Sequence, residues 1–210
     1  AEASQGLKAA LKVGTDSAVS QLTRVNGFYG NSLLKIVLPP EAKPIVDNIS
    51  KIPVGKDLLE KAITGINRAA EDAAKEAGPI FANAITIMSI NDAFSILRGV
   101  DTAATNYLRR NTSSQLVNAF TPKISTSLNK KIVFNTSGED LYKNLINAYN
   151  TASLKGALFP QVTNNTLTQY VTNRAVDGVF IKIGEEERKI RNNIAHRVSP
   201  ILKKVFGQKY

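Results

Sequence analysis

His196 is the only histidine in the chain and cysteine is absent. A histidine metal cluster and a thiol nucleophile are therefore both impossible within these 210 residues. Any catalytic triad would depend on His196 alone, which lies beside Arg197 where a helix pattern ends. It is read as a C-terminal cap or surface residue, since a cation suits that end of the helix dipole. The densest carboxylate group is in EEERKIR, Glu185 to Arg191. Consecutive helix positions diverge by about 100 degrees, so three adjacent glutamates do not converge on a cation. Glu185 with Lys189, and Glu187 with Arg191, stand four apart in the favourable order, which predicts a solvated, ion-paired face.

A second polar group, Asn67, Arg68, Glu71 and Asp72, shares a helix with small apolar neighbours. With Asp177, near the middle of the last long helix, it is read as a buried polar network between core helices. Arg68 and Asp72 can pair at four apart. The enzymatic alternative makes Glu71 and Asp177 an acid and base pair. Asp92 and Asp101 each stand at a helix start, where capping explains them without metal. No stretch matches a phosphate-binding loop or the dinucleotide fingerprint. The residues thus assign no catalytic group, metal ligand or cofactor.

These groups need helices to hold them, and the patterning supplies helices almost throughout. Leu7, Leu11, Ala18 and Leu22 predict a first amphipathic helix. From Leu58 to Arg110 three helical patterns follow one another. Ile63, Ile66, Ala70, Ala73, Ala74 and Ala77 form a small-residue face that admits a close neighbour. Pro79 suits a first helical turn, and Ser89 with Asp92 forms a capping box. Leu116, Val117, Phe120, Ile124 and Leu128 carry the next helix, which Pro122 should kink or divide. Ser137 with Asp140 caps a helix through Leu141, Leu145, Ile146 and Tyr149, and Thr166 with Gln169 caps another. That last long helix has an apolar face from Leu167 to Ile194, broken by a polar turn at Glu186 and Glu187. SPILKKVFG reads as a short final helix.

The predicted fold class is therefore all-α: one compact multi-helix domain over 1–210, with short loops, an extended connector from Ile36 to Pro39, and a loop-rich segment at 131–165. In NGFYGNS, Gly27 and Gly30 bracket Phe28 and Tyr29. The pair is read first as a turn folded over a helix end, and otherwise as exposed aromatics for a partner. No apolar run approaches the roughly 18 residues that span a bilayer. The formal charge is +10, and residues from Thr102 onwards carry that whole excess. A basic half can meet an acidic protein or an anionic lipid surface. Specific nucleic-acid binding is disfavoured, since aromatics are only 7%, tryptophan is absent and no recognition motif occurs. The candidate partner contacts are Phe28, Tyr29, Arg197, Lys203 and Lys204.

NRAAEDAA, PIFANAITIMSINDAFSILRG, DTAATNYLRR, YVTNRAVDGVF with EEERKIR, and the closing ILKKVFG together resemble an uncharacterised bacterial family, the domain-of-unknown-function family 4197. GLKAALKVGTDSAVSQL, GFYGN and KIVLPPEA are similar to its N-terminal part. The resemblance spans most of the chain and departs most between Lys131 and Asn165. It implies an all-helical, exported protein of the bacterial envelope, in some members a lipoprotein, and brings no catalytic residues. The start at Ala1 fits a mature form, with any lipid anchor on a cysteine upstream. The expected function is non-enzymatic partner binding in the periplasm or at the envelope. The alternatives are a small-molecule or lipid carrier with an apolar cavity, and a carboxylate-based enzyme; a homo-oligomer stays open.

Overall fold

The computed structural model describes residues 2–133, 135–163, 167–197 and 199–207. In chain order the elements are α1 (Glu2–Leu22), α2 (Lys43–Asp47), α3 (Gly55–Ala73), α4 (Ala77–Ile87), α5 (Ile90–Leu97), α6 (Ala103–Asn129), β1 (Lys131–Val133), β2 (Thr136–Ser137), α7 (Gly138–Ala152), α8 (Leu167–Asn192) and α9 (Pro200–Gly207). The fold is all-α. The strands form one small antiparallel hairpin, with Lys131 opposite Ser137 and a register shift before Val133.

Two compact units arise from interleaved segments, the first from 1–24, 74–119 and 176–210, the second from 25–73 and 120–175. Their boundaries fall inside α6 and α8 and at the end of α3.

In the first unit α1 packs against α4, α5 and α9. Leu7, Ala10, Ala18 and Leu22 are buried along its inner face, as their helical spacing requires. Gly6 lets α9 approach: a Cβ there would stand 2.2 Å from Val205 Cγ2. Phe81 of α4 meets Phe180 of α8 edge-on, with ring centres 5.9 Å apart, a favoured aromatic geometry. Ser89 caps α5 through the predicted reciprocal box with Asp92. Ile194, assigned to the apolar face of α8, is instead exposed in the 3-10 turn that follows Asn193.

In the second unit α3 and α7 form the largest helix contact. Gly65 and Gly138 make it close, since a Cβ on Gly65 would lie 2.9 Å from the Cα of Gly138. By helical spacing Gly65 lies off the face of Ile63, Ile66 and Ala70, so this close approach falls on a side of α3 that the small-residue pattern does not mark. Ser137 caps α7 by accepting the Asp140 N–H at 3.0 Å. The predicted Thr166 cap lies outside the described residues.

Pro122 neither divides nor ends α6, which runs unbroken to Asn129. Pro122 donates no backbone hydrogen bond, and the surrounding burial of Phe120, Ile124 and Leu128 holds the helix together there. The segment after α7 is loop, as expected, and side chains of α7 pin it. Tyr149 donates to the Pro160 carbonyl at 2.8 Å, and Asn150 exchanges two side-chain hydrogen bonds with the backbone of Val162. Leu154 and Lys155, both at positive φ, turn the chain within that strap.

Candidate functional site

The helical stripe of α8 runs through Val179, Ile183 and Ile190, and both Glu186 and Glu187 fall within it by spacing. Each is only 7% exposed, which corrects the solvated face expected for EEERKIR. Glu187 meets the N-terminus of α6. Its Oε1 accepts the Ala104 N–H at 3.0 Å, and its Oε2 accepts the Thr105 N–H at 2.8 Å and the Thr105 hydroxyl at 2.7 Å. These are donors that a helix start leaves unsatisfied, and a carboxylate suits that positive end. Arg191 donates to Glu187 at 2.9 Å and to the Ile96 carbonyl at the end of α5, also at 2.9 Å. One ion pair therefore satisfies the end of α5 and the start of α6. Asp101, expected to cap α6, instead accepts a hydrogen bond from Asn192.

Glu186 accepts from Ser17, Gln21 and Lys189. Burial pushes its carboxyl up, but the hydrogen bonds from Lys189, Gln21 and Ser17, with the charge of Lys189, outweigh it and hold the group below its ordinary value. Glu185 pairs with Lys182, so the predicted Glu185 to Lys189 pair does not form.

The polar row on α3 is partly buried as expected. Asn67, fully buried, receives the Ile36 N–H at 2.9 Å and donates to the Ile36 and Ile63 carbonyls at 2.8 Å. It thereby holds the extended connector against α3. Glu71, 4% exposed, accepts the N–H groups of Phe28 and Tyr29 at 3.2 and 3.3 Å. Its other oxygen takes Arg68 at 2.7 Å. Arg68 thus pairs three residues away, not with Asp72 at four. Asp72 accepts instead from the Ser127 hydroxyl and stands near Lys130.

Asp177 does not belong to a buried network. Its side chain is 47% exposed and pairs with Arg109 at 2.9 Å, within the first unit. Arg109 also lies over the Phe180 ring at 4.6 Å. Both oxygens of Glu71 and of Glu187 are engaged by backbone and guanidinium donors, an arrangement that fixes chain segments in place. Among the described residues, no group of three acidic or histidine side chains is placed to hold a metal ion.

The proposed contact residues divide. Phe28 is fully buried, which removes it from the candidate surface contacts and agrees with a turn folded inwards. Tyr29 is half-buried; its hydroxyl donates to Glu60, and Lys35 stands 4.0 Å above its ring. Arg197 donates to the Ile190 and Arg191 carbonyls at 3.0 and 2.7 Å, closing the end of α8, so its guanidinium is used internally. His196 is exposed beside it. Lys204 pairs with Glu2 at 2.6 Å. Lys203 is exposed, and its side chain makes no ion pair or hydrogen bond among the described residues; the same holds for Arg188 on α8, which the candidate set omits.

A small apolar cavity in the first unit, between Leu7, Leu11, Ile183 and Phe206, has a volume of about 20 Å³, room for about one water. Among the described residues no single helix is long and apolar enough to cross a membrane. No curated protein and no solved structure matches the chain. Residues 1–207 match the family model described as Protein of unknown function (DUF4197).

Proposed function

The chain belongs to the DUF4197 family, and on that premise we propose that it is a non-enzymatic protein of the bacterial cell envelope that binds an acidic partner protein. The observation that carries this reading is the division between inward and outward charge. Glu71, Glu186 and Glu187 are spent on the protein's own backbone and side chains, whereas Arg188 and Lys203 are exposed and their side chains make no ion pair or hydrogen bond among the described residues. Exposed unpaired cations steer an oppositely charged partner and add little to the fold that carries them.

The test is crosslinking in cells that express either the native chain or the Arg188→Glu, Lys203→Glu double variant, with envelope and cytoplasm separated first. The native chain is expected in the envelope fraction, crosslinked to a protein of acidic composition. The double variant should lose most of that product while keeping its melting temperature. An undiminished product from the double variant would contradict the assigned surface, and recovery in the cytoplasm would contradict the location. Capture of anionic lipid alone would replace the protein partner with a membrane surface.

A further inference from the structure

The connection from α5 to α6 leaves a groove of about 270 Å³ within the first unit. It is lined by Asp92, Ser95, Ile96, Val100, Tyr107 and Arg110, with Val100 exposed and Ile96 buried. Opposite charges stand in that lining. Asp92 Oδ2 accepts both the Ser89 N–H and the Ser89 hydroxyl, and Oδ1 has no hydrogen-bond partner among the described residues. Arg110 is exposed and likewise makes no hydrogen bond or ion pair among them. The Tyr107 phenol lies within the fields of both: burial raises its pKa first, the Asp92 carboxylate raises it further and Arg110 opposes them. The phenol therefore stays a proton donor. Ser95 is exposed and free to turn its hydroxyl into the groove.

We propose that this groove binds a small zwitterion, a free amino acid or dipeptide with an apolar side chain. The ammonium would take Asp92 and Ser95, the carboxylate would take Arg110 and the Tyr107 hydroxyl, and the side chain would cover the exposed Val100. A phosphate or other dianion suits the groove less well, because it would bring its charge against Asp92. The volume is close to the lower end for small-ligand sites, which matches one or two residues. This site is separate in its residues from the cations assigned to the partner protein, so either reading can fail without the other.

The experiment is calorimetric titration of the whole chain with alanyl-leucine, beside the same dipeptide acetylated at its amine and amidated at its carboxyl group. The free dipeptide is expected to bind at submillimolar concentration, and either blocked form should bind at least about tenfold more weakly, the loss expected when one side of a charge pair goes unmatched. Arg110→Ala should weaken the free dipeptide by a similar factor, and Tyr107→Phe by less, with circular dichroism unchanged for both. Absence of binding at millimolar dipeptide would overturn the proposal. So would equal affinity for the acetylated form, which would indicate a plain carboxylate site, or unchanged affinity in Arg110→Ala.

Discussion

Glu187 shows how one side chain can serve several chain segments. Four of its hydrogen bonds reach the start of α6 and Arg191, and that arginine in turn closes α5. Glu187→Ala should therefore cost about 3–5 kcal/mol, the scale for removing one partner of a buried ion pair. Chemical denaturation would measure it, and a loss below about 1 kcal/mol would mean that the pair is solvated after all. The signal for this burial was present in the sequence. Glu187 lies four residues after Ile183 and three before Ile190, on the stripe itself. It was hidden by a second regularity, the Glu187 and Arg191 spacing, which also describes an exposed helical pair. What decides between them is an uncapped helix start in a segment more than 80 residues away, which local spacing does not contain. Asn67 and Glu71 were legible for the converse reason, since their helix offers small apolar neighbours on both sides.

At the scale of elements, close approach is set by glycine. Gly65 on α3 faces Gly138 on α7 backbone to backbone, so Gly65→Ala should destabilise the fold by about 1–3 kcal/mol despite the higher helix propensity of alanine. A thermal melt would show a lowered midpoint; a raised one would mean that the two helices separate at little cost. Most helices were legible, because apolar spacing and the Ser89 and Ser137 caps are local signals. The hairpin of β1 and β2 was not, being three and two residues long, too short for alternation to register. The loop after α7 was legible from its composition, but its anchoring was not, because Tyr149 and Asn150 reach across to Pro160 and Val162.

Across the molecule, ionisable groups buried in both units set the limits of stability. In the second unit, burial, the carboxylates of Glu41 and Glu139 and the neighbouring Tyr170 push the Tyr142 hydroxyl up to about 12 from 10.0. The folded state thus keeps a proton that the unfolded chain releases, so this contribution is intact below pH 10 and is lost as the pH rises towards 12. The phenolate absorbance lost in Tyr142→Phe should, in the native chain, appear together with loss of helical circular dichroism in that window; its appearance in a fully helical protein would show that Tyr142 is open to solvent. The fold class could be read from the sequence as a whole, but the outward role of Arg188 could not. Both Arg188 and Arg191 fall in EEERKIR, and it is packing that holds Arg191 against Glu187 and the Ile96 carbonyl while Arg188 stays exposed. The central claim is that the outward cations hold an acidic protein. Native mass spectrometry of the protein, gently purified from its own envelope, tests this most directly. An added protein mass is expected that departs as salt is raised, since exposed charge pairs are screened. Recovery of the chain with no added protein mass, or with one that high salt does not release, would contradict it.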